Sequence, residues 1–227
     1  FSNGVLWIDI AVVCGLVMPL GGLILMGQEL DEGNHELLLL TKLSRWKVVR
    51  GKFFSLWSLC VLTLFSLLPY VIARYQIGGV EMPRELACTF SVLGLSAVMC
   101  AGAIGASSFR GLGGRIGSRV LFFASAAASG AVALVSCGYR TAKSTVAFQI
   151  LWNLNALGAA LCFSLMGLAL ARSRMRLVVH AYEVKPSFMV VGLLVFTPFV
   201  VGMLTAMTTG YAGFVGLIGM ALVAMYA

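Results

Sequence analysis

Residues 188–208 read FMVVGLLVFTPFVVGMLTAMT and residues 211–227 read YAGFVGLIGMALVAMYA, and neither stretch carries a charged side chain. The apolar residues run on continuously, without the polar–apolar alternation of a half-buried strand. A bilayer core of about 30 Å takes about 20 apolar residues in helical form. Inside lipid only helices and closed barrels satisfy backbone N–H and C=O groups. Continuous runs of this length therefore predict transmembrane helices. Thr209-Gly210 is all that separates the two runs, which predicts a tight helical hairpin.

The same ruler, moved toward the N-terminus, marks Val5–Gly27, Phe53–Tyr75, Leu86–Phe109, Val120–Gly138 and Val146–Ala171. The expected fold is all-α: a polytopic transmembrane helical bundle of about seven spans, forming a single membrane domain over residues 1–227. Composition agrees. Hydrophobic residues make up 60% of the chain, charged residues 11%, and mean hydropathy is +1.00. A soluble globule carries roughly 25% charged residues and has a largely polar exterior, so the excess apolar surface has to meet lipid. The chain opens on Phe1 and stops at Ala227 within an apolar run, and the expectation is a chain shortened at its N-terminus and at its C-terminus too.

Orientation follows from the basic residues. Loops after the first, third and fifth spans hold twelve: Lys42, Arg45, Lys47, Arg50, Lys52, Arg110, Arg115, Arg119, Arg172, Arg174, Arg176 and Lys185. The other side holds four, Arg74, Arg84, Arg140 and Lys143. Positive loops face the cytoplasm, which puts Phe1 outside. Aromatic residues agree, with Trp7, Tyr70, Tyr75, Tyr139, Trp152 and Tyr211 near the outer boundary and Trp46 near the inner one. The net charge of +8 is thus a membrane-topology signal. It is spread over short loops and forms no stripe that would suit nucleic acid.

Span composition predicts how the helices meet. Ala97, Ala101 and Gly105 recur every fourth residue, as do Ser125, Ser129 and Ala133, and small residues at that spacing admit close helix approach. Such residues are also simply common in membrane helices. Pro19, Pro69 and Pro198 each remove a backbone donor and predict kinks. The six cysteines, Cys14, Cys60, Cys88, Cys100, Cys137 and Cys162, are scattered over five segments, with Cys88 and Cys100 both in the third and no CxxC. They read as small hydrophobes, with room for a Cys88–Cys137 bond near the outer face.

Little in the chain suggests catalysis. Gly111–Gly117, GLGGRIG, lacks the Lys-Ser/Thr of a phosphate loop. His35 and His180 lie far apart in cytoplasmic loops, and no serine, cysteine and histidine arrangement suggests covalent chemistry. Polar residues within spans are Asp9 in the first and Gln149, Asn153 and Asn155 in the fifth. Gln149 and Asn153 share a helix face. These four are candidates for a translocation path, or for interhelical hydrogen bonding. The loop Arg172–Pro186 is basic and then amphipathic, suited to lipid headgroups or to a soluble partner.

The cytoplasmic stretch 28–52, QELDEGNHELLLLTKLSRWKVVRGK, stands apart. It is acidic at Glu29, Asp31, Glu32 and Glu36, then basic from Lys42 onward, with Leu37, Leu38, Leu39 and Leu40 between. Asn34 can cap a short helix from His35, and Thr41 or Ser44 a second that runs through Trp46 into the next span. Physically this element can lie in the headgroups, pack under neighbouring spans, or dock into a groove on a partner.

Residues 36–52, ELLLLTKLSRWKVVRGK, resemble the cytoplasmic segment of the ABC type-2 permease family. That pattern is an acidic approach, Glu-Leu-Leu-Leu, two variable residues, Pro or a third variable residue, Leu or Val, Ser-Arg, two variable residues, Ile/Val-Val, one variable residue, and Gly-Lys before a span. Glu36, Leu37 to Leu40, Thr41, Leu43, Ser44, Arg45, Val48, Val49, Gly51 and Lys52 fit it. The resemblance implies a permease subunit, with Glu29 and residues Glu36 to Arg45, Lys42 included, as a coupling helix between the first two spans. It implies a separate ATP-binding cassette subunit as partner, carrying the ATP and Mg, with no cofactor and no hydrolysis on this chain. It further implies a second permease copy or paralogue, export across a bacterial inner membrane, and a first span and elbow helix before Phe1. Family members usually have six spans, which would make Phe188–Thr208 and Tyr211–Ala227 additions. The alternative is a membrane scaffold or assembly subunit that recruits a cytoplasmic partner and transports nothing.

Overall fold

The computed structural model describes residues 3–22, 44–77, 82–109, 112–140, 145–174, 186–207 and 211–226. These residues are almost wholly helical. The N-terminal apolar segment is α1 (Asn3–Val12), a π-helical turn (Val13–Val17) and α2 (Met18–Leu20) in succession. Then come α3 (Arg45–Ile77), α4 (Met82–Ser107), α5 (Leu112–Arg140), α6 (Thr145–Arg174), α7 (Pro186–Met207) and α8 (Tyr211–Tyr226). The second short helix expected in the stretch 28–52, running through Trp46 into the next apolar run, is present as the start of α3, and residues 23–43 lie outside the described residues.

Among the described residues, three helical stretches are both long and apolar enough to cross a membrane: Arg45–Ala73, Cys88–Ser107 and Asn153–Ser173. Leu6–Leu20, Met189–Leu204 and Val215–Met225 are shorter apolar helices. The pattern is that of an integral membrane protein. At 33 residues α3 is about 50 Å long, so its basic first two turns extend beyond a 30 Å hydrocarbon core. Large apolar side chains face outward on most helices, with Leu62, Phe90 and Phe199 about 70% exposed. In water such a surface would aggregate; in lipid it is the ordinary exterior.

Helices α4 and α6 form the spine, running parallel. A Cβ on Gly167 of α6 would stand 2.6 Å from the Ala101 carbonyl of α4, and one on Gly105 would stand 2.9 Å from the Gly167 carbonyl oxygen. The Ala101–Gly105 step therefore does what its spacing predicts: two backbones touch where no side chain intervenes. Gly102 receives the ring of Phe122 from α5, which meets Phe163 of α6 edge-on at 5.8 Å. On one side of the spine Val49, Phe53, Leu56 and Cys60 of α3 are buried against Cys100, Ile104 and Leu168. On the other, Val190, Leu194 and Val201 of α7 and Leu217, Ala221 and Ala224 of α8 complete a second core around Cys162, Met166 and Leu170.

Two prolines explain two polar contacts between helices. Pro198 lies inside α7 and has no N–H for the Leu194 carbonyl four residues back. The Ser125 hydroxyl of α5 donates to that carbonyl instead. Pro19 acts similarly in the N-terminal apolar segment. The Met18 N–H bonds Val13 O in the π register, and the next residue is proline. The Cys14 carbonyl is thereby deprived of its backbone donors, and the Cys60 thiol of α3 donates to it at 3.7 Å. Single π turns of this kind recur at functional positions in helices.

Candidate functional site

Of the residues assigned to the coupling segment, Ser44 and Arg45 fall within the described residues. Glu29, Glu36 and residues 37–43 lie outside them. The Lys47 and Val48 N–H groups donate to the Ser44 carbonyl at 2.8 and 3.4 Å. Helix α3 thus starts directly on the serine of the Ser-Arg pair.

One residue beyond that pair the chain is clamped. Trp46 receives two guanidinium groups on its ring, Arg50 at 5.7 Å and Arg172 at 5.5 Å from the ring centre. Arg172 closes α6, and its Nη1 donates to the Met225 carbonyl at 3.1 Å. A cation suits the carbonyl-rich C-terminus of α8, where the helix dipole is negative. Each cation–π contact is worth about 0.5–1 kcal/mol when exposed and about 2 when desolvated, and a charged hydrogen bond about 1.5–3 kcal/mol. The start of α3 and the ends of α6 and α8 are therefore tied at one end of the bundle. Movement at the start of α3 has a direct contact route into α6, and through Arg172 to the end of α8.

A cleft of about 490 Å³ opens farther along the same spine, between α4 (Phe90 to Val98), α6 (Asn153 to Phe163) and Ala126 of α5. Its walls are apolar apart from Ser91 and Asn153. Ligand sites of this size are commonly apolar with a few placed polar groups. Asn153 is exposed there, whereas Asn155 is buried at 2% and belongs to another face of α6. Successive odd positions on a helix do not share a face, so the two asparagines divide. Gln149 is in α6, but its side chain lies outside the described residues. Asp9 is exposed on α1 and does not line the cleft. The four polar residues thus do not form one patch.

Near the other end, Glu85 in the first turn of α4 is buried at 5% and accepts a 2.7 Å hydrogen bond from the Trp7 indole. No periodicity singles out Glu85, because it stands before the apolar run begins. Trp46 and Arg172 were legible only as interfacial residues, and nothing in the sequence pairs them. The Cys88–Cys137 pairing lies outside the described residues, since the Cys137 side chain does. Comparison of the chain with protein-family models, curated proteins and solved structures gives no match.

Proposed function

We propose that the chain is the membrane-spanning permease subunit of an ATP-driven ABC transporter, an exporter of a bacterial inner membrane. In this reading seven spans surround the path, and the segment 28–52 rests against a separate ATP-binding subunit that holds ATP and Mg. A second permease copy or paralogue completes the pair. The observation that carries the reading is the join between the family-like stretch 36–52 and the clamp. The stretch runs into α3 at Ser44, and two residues later Trp46 is gripped by Arg172 of α6. A coupling element has to be attached to the helices it moves, and the Trp46–Arg172 contact, which joins the start of α3 to α6, supports this reading.

The cleft fits the same reading as part of the path, with Asn153 and Ser91 its polar contacts. Among the described residues its lining is apolar apart from Ser91 and Asn153, which suits an apolar cargo segment. The energy reaches it mechanically: closure of the ATP-binding subunits makes different contacts with the leucine run in each state, which is what shifts a two-state element.

The test is a mild-detergent pull-down of the complete protein from its native membrane, wild type beside Leu39→Asp. A stoichiometric ATPase subunit with wild type, lost or uncoupled in the variant, supports the transporter. Recovery of a partner without nucleotide turnover moves the scaffold reading ahead, and normal transport by Leu39→Asp refutes the coupling role.

A further inference from the structure

Read along the chain, the cysteines are scattered; folded, the sulfurs of two and the carbonyl of a third come together. Cys14 of the π turn, Cys60 of α3 and Cys100 of α4 are each fully buried, at 0% exposure. The Cys60 and Cys100 sulfurs are 3.7 Å apart, and the Cys60 sulfur is also 3.7 Å from the Cys14 carbonyl oxygen. That oxygen is available because Pro19 and the π register withhold its backbone donors. The Cys60 sulfur thus stands between a second soft sulfur and an under-served oxygen inside the bundle.

We propose that Cys60 and Cys100, with the Cys14 carbonyl, form a binding site for a soft monovalent cation of the Cu(I) or Ag(I) class. Spacing is the first argument. With the zinc–sulfur and zinc–oxygen lengths of about 2.3 and 2.1 Å taken as a guide to a first-row cation such as Cu(I), a three-coordinate ion holds its two sulfurs about 4 Å apart. Sulfur and oxygen then stand about 3.8 Å apart. The observed separations of 3.7 and 3.7 Å need only tenths of an ångström of adjustment. Ligand number is the second argument. Among the described residues no group of three or more His, Cys, Asp or Glu side chains gathers as a metal site, which does not suit the four-ligand demand of zinc. Thiolates select soft cations such as Cu(I), and d10 monovalent ions accept two or three ligands.

Charge is the third. The cation replaces one thiol proton, which leaves to solvent, so the loaded site holds one cation, one thiolate and one neutral thiol. Its net charge is zero, as an apolar interior requires. The empty site is also neutral, its thiols hydrogen-bonded in a chain from Cys100 through Cys60 to the Cys14 carbonyl. Loading exchanges a proton for a cation at no cost in buried charge. It also ties the N-terminal apolar segment to α3 and α4, which the empty site joins by weak sulfur hydrogen bonds alone.

The experiment uses the full chain in lipid nanodiscs under a non-thiol reductant, titrated with Ag(I), or with Cu(I) against a chromogenic chelator. The expected result is one ion bound and one proton released per chain. Cys100→Ala spares the Cys60–Cys14 bond, and it should weaken binding more than about 100-fold, beyond what loss of an outer-shell partner costs. Cys162→Ala, in the separate core around Met166, should bind as wild type. Binding by Cys100→Ala at wild-type affinity, or equal loss in Cys162→Ala, overturns the proposal. Should Cys100→Ala not fold, X-ray absorption on the loaded wild type decides. Two sulfur neighbours support the site and fewer than two overturn it.

Discussion

Substituting Ser125→Ala tests whether a proline-freed carbonyl is held by its neighbour helix. The Leu194 carbonyl has lost its helical donor to Pro198, and the Ser125 hydroxyl is its replacement. Ser125 is 5% exposed and Leu194 1%, so water does not take over when the hydroxyl goes. A buried polar group left unsatisfied costs about 1–3 kcal/mol. Cross-helix hydrogen bonds in bilayers average about 0.6 and reach about 1.7 kcal/mol, because the unfolded chain in lipid also finds partners. The expected cost is about 1–1.5 kcal/mol, at the upper part of the bilayer range. Pro198→Ala restores an N–H four residues after Leu194, and the carbonyl then bonds within α7. In that background Ser125→Ala should cost almost nothing, giving a coupling of about 1 kcal/mol. That exceeds the about 0.3–0.5 kcal/mol within which independent sites add. The assay is reversible unfolding in mixed micelles, following helicity against denaturing detergent for the four proteins of the cycle. Equal cost of Ser125→Ala with and without Pro198 would refute the reasoning.

Three further substitutions probe the spine and its ends. Gly167→Ala places a Cβ 2.6 Å from the Ala101 carbonyl, forcing α4 and α6 apart. Such overpacking costs about 1–3 kcal/mol, whereas Gly192→Ala, with nothing within 4 Å, should be neutral or stabilising in the same micelle titration. Trp7→Phe removes the indole donor from buried Glu85 and should lower stability by about 1–3 kcal/mol, read as a lower melting midpoint in detergent. Arg172→Ala releases both Trp46 and the Met225 carbonyl and should cost about 2 kcal/mol; Arg172→Lys should recover part of this, and an equal loss from both would argue against the stacked guanidinium.

Much of this architecture is written in local patterns. The run from Phe53 to Tyr75 is long and uninterrupted, so α3 needed no tertiary information to be expected. Ser44 could be placed at a helix start because its position just before a basic helical run suits a cap. The Ala97–Ala101–Gly105 spacing marked a close approach, and the Gly167 partner emerged only with the fold, since glycine in a membrane helix is too common to single out. What the pattern could not supply is pairing across distant spans. Cys14, Cys60 and Cys100 occupy three different segments, and only three-dimensional register brings their sulfurs and carbonyl together. The same holds for Trp46 and Arg172, each of which alone is an ordinary interfacial residue. Asn153 and Asn155 were both candidates for a path, but two 100° helix steps send them to different environments.

Helix α6 joins the Trp46 clamp, the tight contact with α4 and the wall of the cleft. Arg172 grips Trp46 at its end, Gly167 touches the α4 backbone five residues earlier, and Asn153 opens onto the cleft. From Gly167 to Asn153 is about 21 Å at 1.5 Å per residue. At the Gly105–Gly167 contact the two backbones are already in touch, so neither helix can approach further or slide without lifting its neighbour's carbonyl. Beyond that point the packing loosens. Gly94 and Ala160 are at ordinary contact distance, and Phe90 and Leu157 face outward at 70% and 57% exposure. Packed interfaces move between discrete arrangements rather than deforming continuously. Under the transporter reading, a push on the first turn of α3 would reach α6 through Arg172. It would turn α6 against α4 about their tight contact and change the width of the cleft at the far end. A closed contact near the driven end and a loose one near the cleft is the arrangement a lever requires, and the placement of small residues along α4 and α6 supplies it.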